Sequence, residues 1–166
     1  MKLSELMTGN TPSPEYEGFA TADDQVLAID FSGAATDPND YIVAQNGITE
    51  QAGQLSAQTK ETQYLRTGQV TTKTGTSRTL NVSGDRLHKD EFQDAILDFA
   101  IKFGVGSTVI KPYVYFDMLT GKGEKGTISI TIEDDMSGAP GENASFSATL
   151  ASASKISEYT YSPPSA

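Results

Sequence analysis

Residues 126 to 150, GTISITIEDDMSGAPGENASFSATL, alternate apolar and small polar side chains, break into an acidic Gly-rich segment, and then alternate again. A period of two is the spacing of a strand with one buried face; an amphipathic helix would repeat its apolar positions every three or four residues. Ile128, Ile130 and Ile132 therefore share one face of a strand, and Phe146, Ala148 and Leu150 share one face of the next. The opposite faces carry Thr127, Ser129 and Thr131 on one strand and Ser145, Ser147 and Thr149 on the other. A solvated strand face usually holds more Lys and Glu. This smooth hydroxyl surface suits contact with something that must slide, and Glu133, Asp134, Asp135 and Glu142 read as the exposed turn between the strands.

Similar signals recur along the chain. In 25–33, Val26, Ala28 and Asp30 fall on one side and Leu27, Ile29 and Phe31 on the other, which predicts a short strand. Turn chemistry at Asp37-Pro38 and Asn39-Asp40 separates it from a further short strand at 41–44. Segments 59–66 and 77–84 are Thr-rich and weakly alternating, and predict a long hairpin whose tip is a polar loop over 66–78. A helix is expected over 90–103, with Asp90 and Gln93 as a capping box and Gly104 as the stop. Phe92, Ile96, Phe99 and Phe103 would form its core face; Leu97 and Ile101 form a second apolar ridge, to be covered by another element of the chain or by a neighbouring subunit. Further strands follow at 108–119, 126–134 and within 143–161, with 120–126 as a Gly-rich turn.

The expected fold is mainly β: an antiparallel sandwich or barrel of six to seven strands with one flanking helix. The 166 residues suit one domain, over 25–161, preceded by an N-terminal arm at 1–24 and followed by a short tail at 162–166. No apolar run approaches the ~20 residues of a spanning helix, so membrane insertion is not expected. The first residues have no apolar stretch of a secretory leader, so the chain is expected to fold in the cytoplasm or leave it by another route. With no cysteine, stability must come from packing or assembly.

The net charge of −10 is unevenly spread, with nine acids against Lys2 in residues 1–50, while 66–78 holds Arg66, Lys73 and Arg78 and no acid. Overall acidity opposes tight binding to phosphate backbones. TGKGEKGT at 120–127 lacks the spacing of a phosphate-binding loop and leads into a strand. His88 is the only histidine, which leaves no catalytic triad and suggests a solvent-facing residue before the helix. Neither EDDMSGAPGE nor DPND has the spacing of a calcium loop. The expectation is a non-enzyme without cofactor or metal.

Taken together, the arm, the hairpin LRTGQVTTKTGTSRTLNVSG, the lead into the helix DRLHKDEFQDAILDFAIKFG and the closing strands ISITIEDDMSGAPGENASFSATL resemble the tail tube protein of long-tailed bacteriophages, over roughly residues 55–155. The resemblance implies hexameric rings stacked into a hollow tube that DNA passes through. It also implies a virion location after assembly in the host cytoplasm, and contacts with tape measure, tail terminator and distal tail proteins. The arm and long hairpin would bridge rings. On the residues themselves, the cations Arg66, Lys73 and Arg78 are candidates to meet Glu15, Glu17, Asp23 and Asp24 of the next ring. The tube of a type VI secretion or contractile injection system shares the implied architecture. A carbohydrate-binding sandwich, suggested by Tyr113, Tyr115, Tyr159 and Tyr161, is the reading from another class, weakened by the absence of Trp.

Overall fold

The structure, a computed structural model, describes residues 1–34 and 37–163; residues 164–166 of the expected tail lie outside the described residues. The mainly antiparallel β architecture expected from the sequence is observed. Among the described residues there are eight strands: β1 (Gln25–Ile29), β2 (Ile42–Val43), β3 (Ile48–Tyr64), β4 (Gly68–Asp85), β5 (Ile110–Asp117), β6 (Lys122–Ser137), β7 (Ser145–Ser152) and β8 (Ser157–Thr160). They form one sheet in the order β2-β1-β5-β6-β7-β4-β3, with β8 also paired to β6. β6 is the hub. It pairs with β5 over Gly123–Ser129, with β7 over Ile128–Ser137 and with β8 over Lys122–Lys125.

The alternation read from the sequence decides what each face buries. Leu27 and Ile29 join Tyr113, Ile128, Ile130, Leu80, Val82, Phe146, Ala148 and Leu150 in the main core, beneath Phe92, Ile96, Leu97 and Ile101 of the helical segment. Val26 and Ala28 turn the other way. With Val114 and Phe116 they form a second core, closed by Leu3, Met7, Tyr41 and Val43. The two ends of the strand path approach each other where Gln51 Nε2 of β3 donates to the Gln25 carbonyl of β1 at 3.0 Å, so the sheet curls toward closure.

Several sequence expectations are corrected. The hairpin tip is not a loop over 66–78: β4 begins at Gly68, and the reversal is confined to Leu65, Arg66 and Thr67. Arg66 and Gly68, both at positive φ, turn the chain there. The turn expected at 120–126 ends at Gly121, because β6 starts at Lys122. The strand count is eight rather than six or seven. The arm is not free over 1–24 either: α1 (Leu3–Leu6) docks its first turns into the second core, Leu3 and Met7 being buried.

The helix expected over 90–103 is broken into α2 (Glu91–Ile96) and α3 (Phe99–Lys102). Asp98 has extended backbone and its carboxylate accepts from the Ala100 amide, so it caps a new helix instead of continuing the old one, as short polar side chains tend to. The break rotates the second segment. Leu97 and Ile101, the ridge left to another element of the chain or to a neighbouring subunit, are buried in this chain's own main core, whereas Phe99 and Phe103, expected there, are 72% and 70% exposed. Half of the predicted capping box exists: Asp90 accepts from the Gln93 amide. The Gln93 side chain goes elsewhere, donating to the Asn46 and Asp85 carbonyls at 2.9 Å and accepting from the Leu87 amide at 2.7 Å. This fully buried amide ties α2 to the end of β4.

Candidate assembly surfaces

β3 and β4 continue past the body as a two-stranded ribbon. Ten cross-strand pairs run from Leu55↔Arg78 to Tyr64↔Gly68, a projection of roughly 30 Å at ~3.4 Å per step. Its side chains are mostly exposed, and Leu65 at the turn is 85% exposed. An isolated two-stranded ribbon is marginal in water. Thr, Val and Tyr supply strand propensity, but no face of the ribbon is buried by the other described residues.

The root of the ribbon is fixed. Arg78 Nε pairs with Glu124 Oε1 at 2.8 Å, with side chains only 11% and 23% exposed. The same carboxylate oxygen accepts from Tyr113 Oη at 3.0 Å, and the guanidinium lies 4.9 Å from the Tyr115 ring. Burial, reinforced by the adjacent Glu124, pushes the Tyr113 phenol well above its usual range. Of the three cations assigned to the hairpin tip, Arg78 is therefore engaged at the root, Lys73 lies along the ribbon opposite Thr59, and Arg66 sits in the turn. On the arm, Glu15, Glu17 and Asp23 are exposed and Asp24 is half-buried, its carboxylate accepting from the Thr21 amide. This arm lies beside the β5–β6 turn, where the Ser13 amide donates to the Leu119 carbonyl at 2.8 Å.

The polar strand face is where the alternation put it. Thr131 pairs with Thr149, and on the far side of β7, Thr149, Ser147 and Ser145 face Asn81, Ser83 and Asp85 of β4. Ser129 lies opposite Ala151; Thr127 lies beyond the end of β7, where its amide donates to Ser154 Oγ. What the sequence reading missed is that this face is also acidic. A register irregularity after Ile132 lets the consecutive residues Glu133 and Asp134 both reach β7: Thr149 Oγ1 donates to Glu133 Oε1 at 2.7 Å, and Ser147 Oγ donates to Asp134 Oδ2 at 3.1 Å. Those carboxylates extend the strand surface and are not part of the turn, which is left to 138–144. The Glu-Asp-Asp run that interrupts the alternation was the available signal for a bulge.

At the far end of the body, Phe99 and Phe103 adjoin with ring centroids 4.9 Å apart and ring planes tilted by 44°, and with exposed Val105 they make an apolar patch. Lys102 Nζ pairs with Asp135 Oδ2 at 2.8 Å and pins α3 beside the end of β6. An open cleft of about 290 Å³ adjoins the patch, lined by Phe31, Asp94, Asp98, Ile101, Thr108 and Lys111. His88 is exposed, as expected. Tyr113 is buried, Tyr115 lies under Arg78, and Tyr159 and Tyr161 pack on Phe116 at 5.4 and 5.9 Å, so these tyrosines do not form a solvent-facing stacking platform. Among the described residues, no group of three or more His, Asp or Glu side chains could hold a metal ion, and no helix is long and apolar enough to cross a membrane.

No protein-family model matches the sequence, and no curated protein matches it. Solved structures do match its fold. A chain from the tail of an empty gene transfer agent particle, computed with helical refinement under C6 symmetry, superposes with a TM-score of 0.63 at 18% identity, covering 86% of this chain and all of that one. A chain from the virion of the native gene transfer agent particle gives 0.61 at 15% identity, again over 86% and 100%. The tube-terminating cap of the anti-feeding prophage gives 0.54 at 9% identity, over 93% and 99%. The chain shares its fold with a chain of a gene transfer agent tail, a chain of that particle's virion and a tube-terminating cap, in line with the sequence resemblance to tail tube proteins.

Proposed function

We propose that this chain is the repeating subunit of a phage-type tail tube, a structural rather than catalytic protein of the virion. Six copies form a ring, rings stack along an axis, and DNA passes through the channel. The observation that carries the reading is the ribbon: beyond its root pair Leu55↔Arg78, nine strand pairs stand away from the body with no further partner strand among the described residues, on a fold shared with a chain from a gene transfer agent tail. A ribbon of that length is rational when neighbouring copies bury it. A contact between unlike surfaces of identical subunits does not close on itself and builds a filament. The C6 symmetry of the first of those particles supports six copies per ring.

The face of Thr127, Ser129, Thr131, Ser145, Ser147 and Thr149, extended by Glu133 and Asp134, supplies the lumen. Hydroxyls and carboxylates without a cluster of cations offer a polyanion no attractive stopping place. Lys73 along the ribbon and the exposed carboxylates Glu15, Glu17 and Asp23 on the arm carry complementary charge between copies, which aids encounter and register more than affinity and weakens with salt. The tube is assembled in the host cytoplasm and meets the tape measure, tail terminator and distal tail proteins at its ends. The fold shared with the anti-feeding prophage cap favours, as a second reading, the tube of a contractile injection system. Sedimentation of the purified chain across a concentration series tests assembly: rings and longer polymers are expected, and a monomer at every concentration would refute it.

A further inference from the structure

The chain carries two exposed apolar features at opposite ends of β4. One is the ribbon turn, where Tyr64 and Leu65 are exposed beside Arg66. The other is the Phe99–Phe103–Val105 patch. Strand register fixes their separation: Asp85 at the end of β4 pairs with Ser145, Ser145 pairs with Ser137 of β6, and the Lys102–Asp135 ion pair holds α3 at that same end. From Gly68 to Asp85 the strand has a contour of roughly 55 Å. A ribbon running outward from Arg78 cannot fold back to reach its own patch, but a second copy placed head to tail can.

The chemistry of the two ends also matches. The turn presents an aliphatic and an aromatic side chain followed by a cation. The patch presents two adjoining phenyl rings, the cleft beside α3, and exposed Asp98 in the lining of that cleft, which caps α3 and makes no ion pair among the described residues. The arm carboxylates, by contrast, lie at the ribbon-root end of the body, since the β5–β6 turn that holds the arm adjoins the Lys122–Lys125 half of β6 and Glu124 anchors the root there. We infer that the Phe99–Phe103–Val105 patch is the seat for the ribbon turn Tyr64–Leu65–Arg66 of a second copy, with Leu65 against the phenyl rings and Arg66 toward Asp98. This inference rests on the head-to-tail stacking proposed above and names its contact.

Because the chain has no cysteine, the contact can be trapped without background. Leu65→Cys is mixed with Phe103→Cys, and separately with Glu17→Cys, at assembling concentration under mild oxidation, and covalent dimers are counted on denaturing gels. The Leu65–Phe103 mixture should give at least tenfold more mixed dimer than the Leu65–Glu17 mixture. In parallel, Phe99→Ser/Phe103→Ser should raise the concentration needed for assembly at least tenfold while leaving the circular dichroism spectrum of the monomer unchanged. Tubes that form with mixed dimers only through Glu17, or that tolerate the double substitution, would overturn the seat and leave the tube reading standing. An unsubstituted chain that never assembles would overturn both.

Discussion

Arg78 Nε lies 2.8 Å from Glu124 Oε1, across the space left where β7 ends at Ser152, and so joins the root of the projecting ribbon to the hub strand of the sheet. The pair is shielded on one side by the Tyr115 ring and shares its carboxylate with Tyr113. Removing the cation would leave a mostly covered carboxylate with only a phenol as partner. Breaking a buried pair costs about 3–5 kcal/mol, and partial solvent access here lowers that to about 2–3 kcal/mol. Arg78→Ala should lose that much in urea denaturation; a loss below about 0.5 kcal/mol would show that the ribbon root is held by backbone pairing alone.

The break at Asp98 makes opposite predictions for neighbouring apolar residues. Ile101→Ala removes buried side-chain volume from the main core and should destabilise the chain by about 2–4 kcal/mol. Phe103→Ser, at a residue already 70% exposed, should change monomer stability by less than about 1 kcal/mol. Equal losses at both positions in thermal melts would mean that α3 packs differently.

Where β4 passes β3, Gly84 has no room for a side chain: a Cβ there would collide with the Gly47 carbonyl oxygen and lie 2.9 Å from Ile48 Cα. Backbone cannot yield as a flexible side chain can. Gly84→Ala should therefore give largely insoluble protein, whereas Gly75→Ala in the ribbon, whose Cβ would meet only the flexible Gln58 side chain, at 3.4 Å, should express and fold normally. Soluble yields would check both. Comparable yields of the two variants would contradict the close approach at Gly84.

The half-buried Tyr159 phenol is pushed up to about 12 by burial against Phe116 and by the neighbouring Tyr41 and Tyr161. Its unfolded value is near 10, so the folded state favours the neutral phenol. The associated stability is complete below about pH 10 and is lost as pH rises toward 12. Chemical denaturation between pH 9 and 12 should show this decline, and Tyr159→Phe should flatten it. An unchanged slope in the Phe variant would assign the alkaline loss to other groups.

The sequence revealed what is buried and concealed what is not. β6 and β7 were legible because one face of each lies against the core, which writes Ile, Phe and Leu at every second position. β1 could be read to the side chain, since Val26 and Leu27 enter different cores. The long hairpin was legible, but the strand character of 68–76 was hidden because an alternating apolar signal requires a buried face, and its Thr, Gln and Gly residues have none among the described residues. The helix break was hidden because the apolar spacing of Phe92, Ile96, Phe99 and Phe103 continues across it; the capping preference of Asp98 carried the counter-signal. Arg78 was grouped with the tip by composition alone, and only strand register shows that it lies ten pairs away. The carboxylates of Glu133 and Asp134 passed for a turn because their bulge imitates a loss of periodicity.

Cryo-electron microscopy of the purified chain at high concentration tests the central claim most directly. Hollow tubes with sixfold rotational symmetry, each ring joined to the next by the Leu55–Arg78 ribbon and lined by the Thr131–Thr149 face, are the predicted result. Particles that remain monomeric, or closed assemblies in which the ribbon projects into solvent, would contradict it.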